Sequence, residues 1–223
     1  GETIANSETL TNDGTLANVG TLNNSGTLDN NGTLTNDGTL TNESGGTLTN
    51  ADTLLNDGTL TNSGTLTNVD ASTLENYGTL LNDNGGTLAN SGTLTNNGVL
   101  TNDSTLYNYL GGTLDNNNAM KNNLSGTLDN YGTLTNQVGG TLANTGTLNN
   151  VGTLTFQSGS TFDNTGGTLN NNAGGVIKSY INDFYFDLVG TSATPVGGTV
   201  VLAANSEFIN HASMINTGTL TNA

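Results

Sequence analysis

A six-residue unit, G-T-L-x-N-x, runs through most of this chain, and its period decides what the chain can fold into. Gly14-Thr15-Leu16-Ala17-Asn18-Val19 is one copy. The apolar position recurs from Ile4 through Leu10, Leu16, Leu22, Leu28, Leu34 and Leu40, and then through Leu60, Leu94 and beyond to Leu169. Nearly every one is followed two residues later by Asn. Six is incommensurate with 3.6, so a helix would smear the leucines around its whole surface. A strand period of two instead sends Gly, Leu and Asn to one face, and Thr with the two variable residues to the other. Thr favours strands, whereas Gly and Asn favour turns, so each hexad reads as a short T-L-x strand and an N-x-G corner. Such a unit cannot bury its Leu alone; only stacked copies close a core. The expected fold is an all-β solenoid. Its inward ladders run through Leu16, Asn18, Leu22, Asn24, Leu28, Asn30, Leu34, Asn36, Leu60, Asn62, Leu94 and Asn96.

Some spacings are eight residues rather than six: Leu40 to Leu48, Leu66 to Leu74, Leu80 to Leu88, Leu106 to Leu114, Met120 to Leu128 and Leu134 to Leu142. Two extra residues preserve the inside–outside alternation, where one would flip every following side chain. Counting hexads from Ile4, all six insertions precede even-numbered units. Independent placement would do that about once in 32 trials, so the parity predicts two hexads per coil with the long corners along one edge. Three hexads per coil would instead scatter them over all corners. Each buried Leu contributes roughly 1.5–3 kcal/mol. An inward Asn left unsatisfied would cost about 1–3 kcal/mol, so the Asn side chains are expected to stack and bond to copies above and below.

Regularity fades after Leu154. Three spans follow: regular hexads over 1–172, an irregular insertion or wider coils over 173–206, and resumed hexads over 207–223. The middle span concentrates aromatics at Tyr180, Phe184, Tyr185 and Phe186, which reads as a local core or cap, or as a docking surface. Both ends fall within hexads, and solenoids usually close with polar caps. The expected assembly surfaces are therefore Ile4, Asn6 and Leu10 at one end and Met214, Asn216, Leu220 and Asn222 at the other, joined with the aromatic residues of the middle span. They would give a head-to-tail homopolymer, unless the chain is a piece of a longer array.

Chemistry is nearly silent. Two Lys and no Arg against 18 acidic residues give a net charge of −16, which leaves no cationic stripe for nucleic acid. No apolar run is long enough to insert in a membrane. Zero cysteines exclude disulfides and zinc–thiolate sites. The only histidine, His211, has no Ser–His–Asp context, and Lys121 and Lys178 read as solvated charges. No enzyme and no cofactor are expected. The carboxylates sit singly at corners, as in Asn12-Asp13-Gly14, and would give at most weak calcium binding between like-charged rods. Pairs such as Thr33–Thr35, Thr39–Thr41, Thr47–Thr49, Thr59–Thr61 and Thr65–Thr67 resemble the arrays of ice-binding solenoids, but interruptions at Ala17, Asn23, Asp29, Leu55, Glu75 and Tyr107 weigh against one flat plane. Polysaccharide binding calls for an exposed aromatic row, and Tyr77, Tyr107, Tyr109 and Tyr131 are expected to form no single ladder.

The G-T-L-x-N-x-G-T-L run resembles the repeat tracts of filamentous-haemagglutinin-like adhesins and autotransporter passenger β-helices, over residues 1–172 and 207–223. That resemblance implies secretion, a right-handed β-helix stalk and a role in adhesion or biofilm. The expected protein is a non-enzymatic, extracellular, surface or biofilm-matrix filament subunit that binds copies of itself. The alternative is a stalk fragment of a large bacterial adhesin, with cell-surface or matrix polysaccharide as a further partner.

Overall fold

The computed structural model describes residues 2–180, 199–202 and 220–222. Every element among them is a β-strand, nearly all of four residues and most with the sequence T-L-x-N. Thr and the variable residue face outward, while Leu and Asn face inward, as in Thr39–Asn42 and Thr59–Asn62. The strands wind into a parallel solenoid with three faces. Face one starts with Thr3–Asn6, Thr21–Asn24 and Thr39–Asn42; face two with Thr9–Asn12, Thr27–Asn30 and Thr47–Asn50; face three with Thr15–Asn18, Thr33–Asn36 and Thr53–Asn56. The faces hold nine, nine and eleven described strands. Each strand pairs in register with the third strand on, so Leu40 lies over Leu22 and under Leu60.

Three hexads therefore make one coil, which corrects the expectation of two. Insertions scatter over all three edges, the pattern a triangular coil requires. Their shared parity has another cause. On the edge between faces one and two, long corners follow Thr39–Asn42, Thr79–Asn82 and Ala119–Asn122, which are every second coil. On the edge between faces two and three they follow Thr65–Asn68 and Thr105–Asn108, again two coils apart. Two coils contain six hexads, an even number, so each series keeps its parity.

The axis is filled by one leucine per strand. Leu22 through Leu154 are fully buried, with Met120 in the same column, and Leu10, Leu16 and Phe162 pack against the column while partly exposed. Corners are paired from coil to coil as well as the strands. Thr59 N–H donates to Gly38 O at 2.9 Å, and Asp57 and Gly58 N–H both donate to Asn36 O at 2.9 and 2.8 Å. That closeness explains the glycine before Thr: a Cβ on Gly58 would stand 2.0 Å from the Gly38 carbonyl oxygen. Where Asp52, Ser104 or Asn118 occupies the position, only the preceding residue makes the bond to the Asn carbonyl.

Long corners add a turn, and most of them place a residue with positive φ in it, as Gly45 and Gly85 do at 84° and 88°. Ala71 takes this place at φ 61° and is the non-glycine exception among the described residues. Strands Val176–Ser179 and Thr199–Leu202, within the 173–206 span, continue face three, with Ile177 over Leu154 and Val200 over Ile177. Leu220–Asn222 then pairs with Thr199–Leu202.

Candidate functional site

Three columns of buried asparagine run along the inner corners. The Asn62 amide shows the geometry: its Nδ2 donates to Asn82 Oδ1 at 2.8 Å and to Thr87 O at 2.9 Å, and its Oδ1 accepts from Asn42 Nδ2 at 2.8 Å. The first column runs from Asn6 to Asn164 and the second from Asn12 to Asn171, one Asn per coil through nine coils. Each amide is thus satisfied on both sides, and the columns have a direction: every donor points toward the later coil. Aligned amides in a low-dielectric interior polarise one another. The third column runs from Asn18 to Asn136 and stops there. Phe156 takes the next place, buried, with its ring 4.6 Å from that of Phe162. Asn136 Nδ2 keeps only backbone acceptors, Thr161 O at 2.7 Å and Gly140 O at 3.2 Å. Nearby, Ser160 takes the place of a corner glycine, and its buried Oγ has no hydrogen-bond partner.

Among the expected assembly residues, Ile4 is 39% exposed and Leu10 is partly buried. Asn6 donates to Asn24 Oδ1 and Thr27 O, both at 2.7 Å. Tyr180 is half-exposed just after Val176–Ser179. Leu220 and Asn222 lie in a strand of face three. Phe184, Tyr185, Phe186, Met214 and Asn216 lie outside the described residues, as does His211. Lys121 stands outward on face one and Lys178 on face three. The threonine pairs are divided among the faces: Thr39–Thr41 and Thr59–Thr61 on face one, Thr47–Thr49 and Thr65–Thr67 on face two, Thr33–Thr35 on face three.

The tyrosines differ from the linear reading. Tyr107 and Tyr109 are stacked, with ring centroids 5.4 Å apart and planes at 11°, and Tyr109 stacks on Tyr131 at 6.5 Å and 18°. Coiling brings this about, because Tyr109 and Tyr131 occupy the same corner in consecutive coils and Tyr107 stands outward in the strand Thr105–Asn108 that leads into it. Spacing alone misses the stack if the coil is taken to hold two hexads. On face two, Asp129 lies over Tyr107, Asn149 over Asp129 and Asn170 over Asn149. Asn170 Nδ2 donates to Asn149 Oδ1 and Asn149 Nδ2 donates to Asp129 Oδ1, each at 2.7 Å. On the other side of Tyr131 lies a notch of about 320 Å³. Tyr131, Val151 and Gly152, Thr133 and Thr153 of face three, and the long corners at Leu110–Gly112 and Gly174 line it.

Partial burial, followed by the charge of Asp129, holds the Tyr131 phenol above its ordinary range. Away from this stack, the charge of Glu75 and a hydrogen bond to it raise the Tyr77 phenol. Hydrogen bonds from Thr165 lower the Asp163 carboxyl. Among the described residues no three His, Cys, Asp or Glu side chains gather as a metal-holding group. Among the same residues no helix is long and apolar enough to cross a membrane.

The haemagglutinin repeat matches residues 1–108, 109–179 and 151–223, so the chain belongs to the haemagglutinin-repeat family. Together with the solenoid, this defines an adhesin-type structural repeat protein. A search of the curated proteins returned no match. Among solved structures, the chain is similar to the TibC-catalysed, hyper-glycosylated TibA fragment, at 16% identity over 100% of both chains. The TM-score of that match is 0.23, too low for the superposition to bear on function.

Proposed function

We propose that this chain is a non-enzymatic shaft segment of a secreted or cell-surface adhesin, a rod that supplies reach and stiffness. The observation that carries the reading is the set of three Asn columns running unbroken through the first seven coils, each amide within a column tied to the coil before and the coil after, as Asn62 is. Core and clamp repeat identically along the axis, so each coil is held only by its neighbours and length is gained by repetition. Acidic corners and outward threonines keep the sides solvated, and a net charge of −16 opposes lateral clumping.

Because every donor points the same way, further coils join only in the same direction, whether they come from one longer chain or from copies placed head to tail. Head-to-tail stacking would use the pairing already present within the chain. Dispersed carboxylates would bind calcium weakly, between rods rather than within one. Negative-stain electron microscopy at neutral pH, with calcium and with a chelator, tests the reading. Straight rods, single or joined end to end and growing by about 4.8 Å per coil, are the expected result. Compact particles or flexible chains would contradict it.

A further inference from the structure

We propose that the edge between faces two and three, from the coil of Tyr107 to the coil of Asn170, binds a neutral oligosaccharide. This rests on the shaft reading above and adds a ligand site on the shaft's side.

Two outward columns run side by side along this edge. The corner column offers Tyr109 and Tyr131, stacked and each about 40% exposed, then Val151. The face-two column offers Tyr107, Asp129, Asn149 and Asn170, in which the three polar groups are fixed in line by 2.7 Å hydrogen bonds. A pyranose has an apolar ring face and an equatorial rim of hydroxyls. It needs an aromatic ring beside planar carboxylate and amide groups whose orientation is already set; Tyr131, the last ring of the stack, borders the notch and stands two residues from Asp129, which the Asn149 amide holds. Holding the groups in advance lowers the ordering cost of binding. Three coil steps span about 14 Å, enough for a short chain of sugars rather than one.

The adjoining notch of about 320 Å³ lies at the lower end of small-molecule sites, which run about 300–1,000 Å³. Its shape follows from corner length. The long corners at Leu110–Gly112 and Gly174 stand out, while the short corners at Tyr131-Gly132 and Val151-Gly152 lie between them. Glycines leave the floor open, and Thr133 and Thr153 add hydroxyls from face three.

Charge selects among ligands. The chain's two basic side chains, Lys121 and Lys178, stand on faces one and three and do not line the notch, whereas Asp129 stands in the proposed site. An acidic sugar, a phosphate or a nucleic acid would meet like charge with no counterpart. An apolar peptide would have to desolvate Asp129 and its amide partners.

Saturation-transfer-difference NMR of the intact chain tests the site. The probes are maltotriose, cellotriose, mannotriose and tri-N-acetylchitotriose, with trigalacturonate as the anionic comparison. Expected are signals on the ring protons of at least one neutral trimer. Affinity for that trimer should fall about tenfold or more in Tyr131→Ala and in Asp129→Ala and stay unchanged in Tyr77→Ala. Both site variants alter exposed or half-exposed side chains, and an unchanged melt shows that the rod is intact. No binding of any neutral trimer at about 10 mM, binding of trigalacturonate alone, or full affinity in Tyr131→Ala would overturn the proposal. Straight rods in the microscope with no sugar signal would sink this site and leave the shaft reading in place.

Discussion

The first seven coils and the eighth and ninth share one repeat but are clamped differently. In the first seven, all three inner corners carry Asn, and each inner amide bonds to the coil before and the coil after, as Asn62 does. In the eighth, Phe156 replaces Asn on one corner, packs against Phe162 and leaves Asn136 bonded only to backbone acceptors above. In the ninth, Ser179 follows on that column. The lesson is that an Asn column holds only as long as its next member is present. Where it breaks, apolar packing takes over and polar groups such as the Ser160 hydroxyl are left over.

The largest expected effect comes from breaking a column in the regular part. Asn62→Leu leaves Asn42 Nδ2 and Asn82 Oδ1 each short of a partner, and should cost about 2–5 kcal/mol in urea unfolding. Asn136→Leu should cost visibly less, because no Asn lies above it. Equal losses would mean that the columns do not act through their neighbours. Next, Gly58→Ala drives a methyl into the Gly38 carbonyl and should cost about 1–3 kcal/mol by the same measurement. Ser160→Ala, at the irregular end, removes a buried hydroxyl without a partner and should raise stability by about 1 kcal/mol. Ala71→Gly relieves a left-handed backbone at some cost in chain entropy, for a net gain of about 0.5 kcal/mol.

The smallest effect concerns protons. The Tyr131 phenol is held above its ordinary value, so the fold favours its protonated form. Its contribution is complete below about pH 10 and is lost as the pH rises through the folded value. Ultraviolet titration should show late-ionising tyrosines, Tyr77 and Tyr131, with one fewer in Tyr131→Phe.

Much of this was legible in the sequence, because a period of six allows a strand and forbids an amphipathic helix. Leu16 to Leu154 and Asn18 to Asn150 could be sent inward from spacing alone. The number of hexads per coil could not. Parity is common to a two-hexad coil and to a three-hexad coil whose long corners recur every second turn, so only pairing such as Leu40 with Leu60 separates them. The tyrosine stack was hidden for the same reason. Tyr109 and Tyr131 are 22 residues apart and become neighbours only when that distance equals one coil. Phe156, by contrast, stands at an Asn position in the plain repeat and could have been read as the end of a column.

Paired cysteines test the three-faced coil most directly. Thr41 and Thr61 are cross-strand partners on face one, whereas Leu55, the partner a two-hexad coil would give Thr41, stands on face three. Oxidation should close a disulfide in the Thr41→Cys, Thr61→Cys double variant and not in Thr41→Cys, Leu55→Cys. The reverse outcome would contradict the three-faced coil, and with it the columns, the tyrosine edge and the shaft built from them.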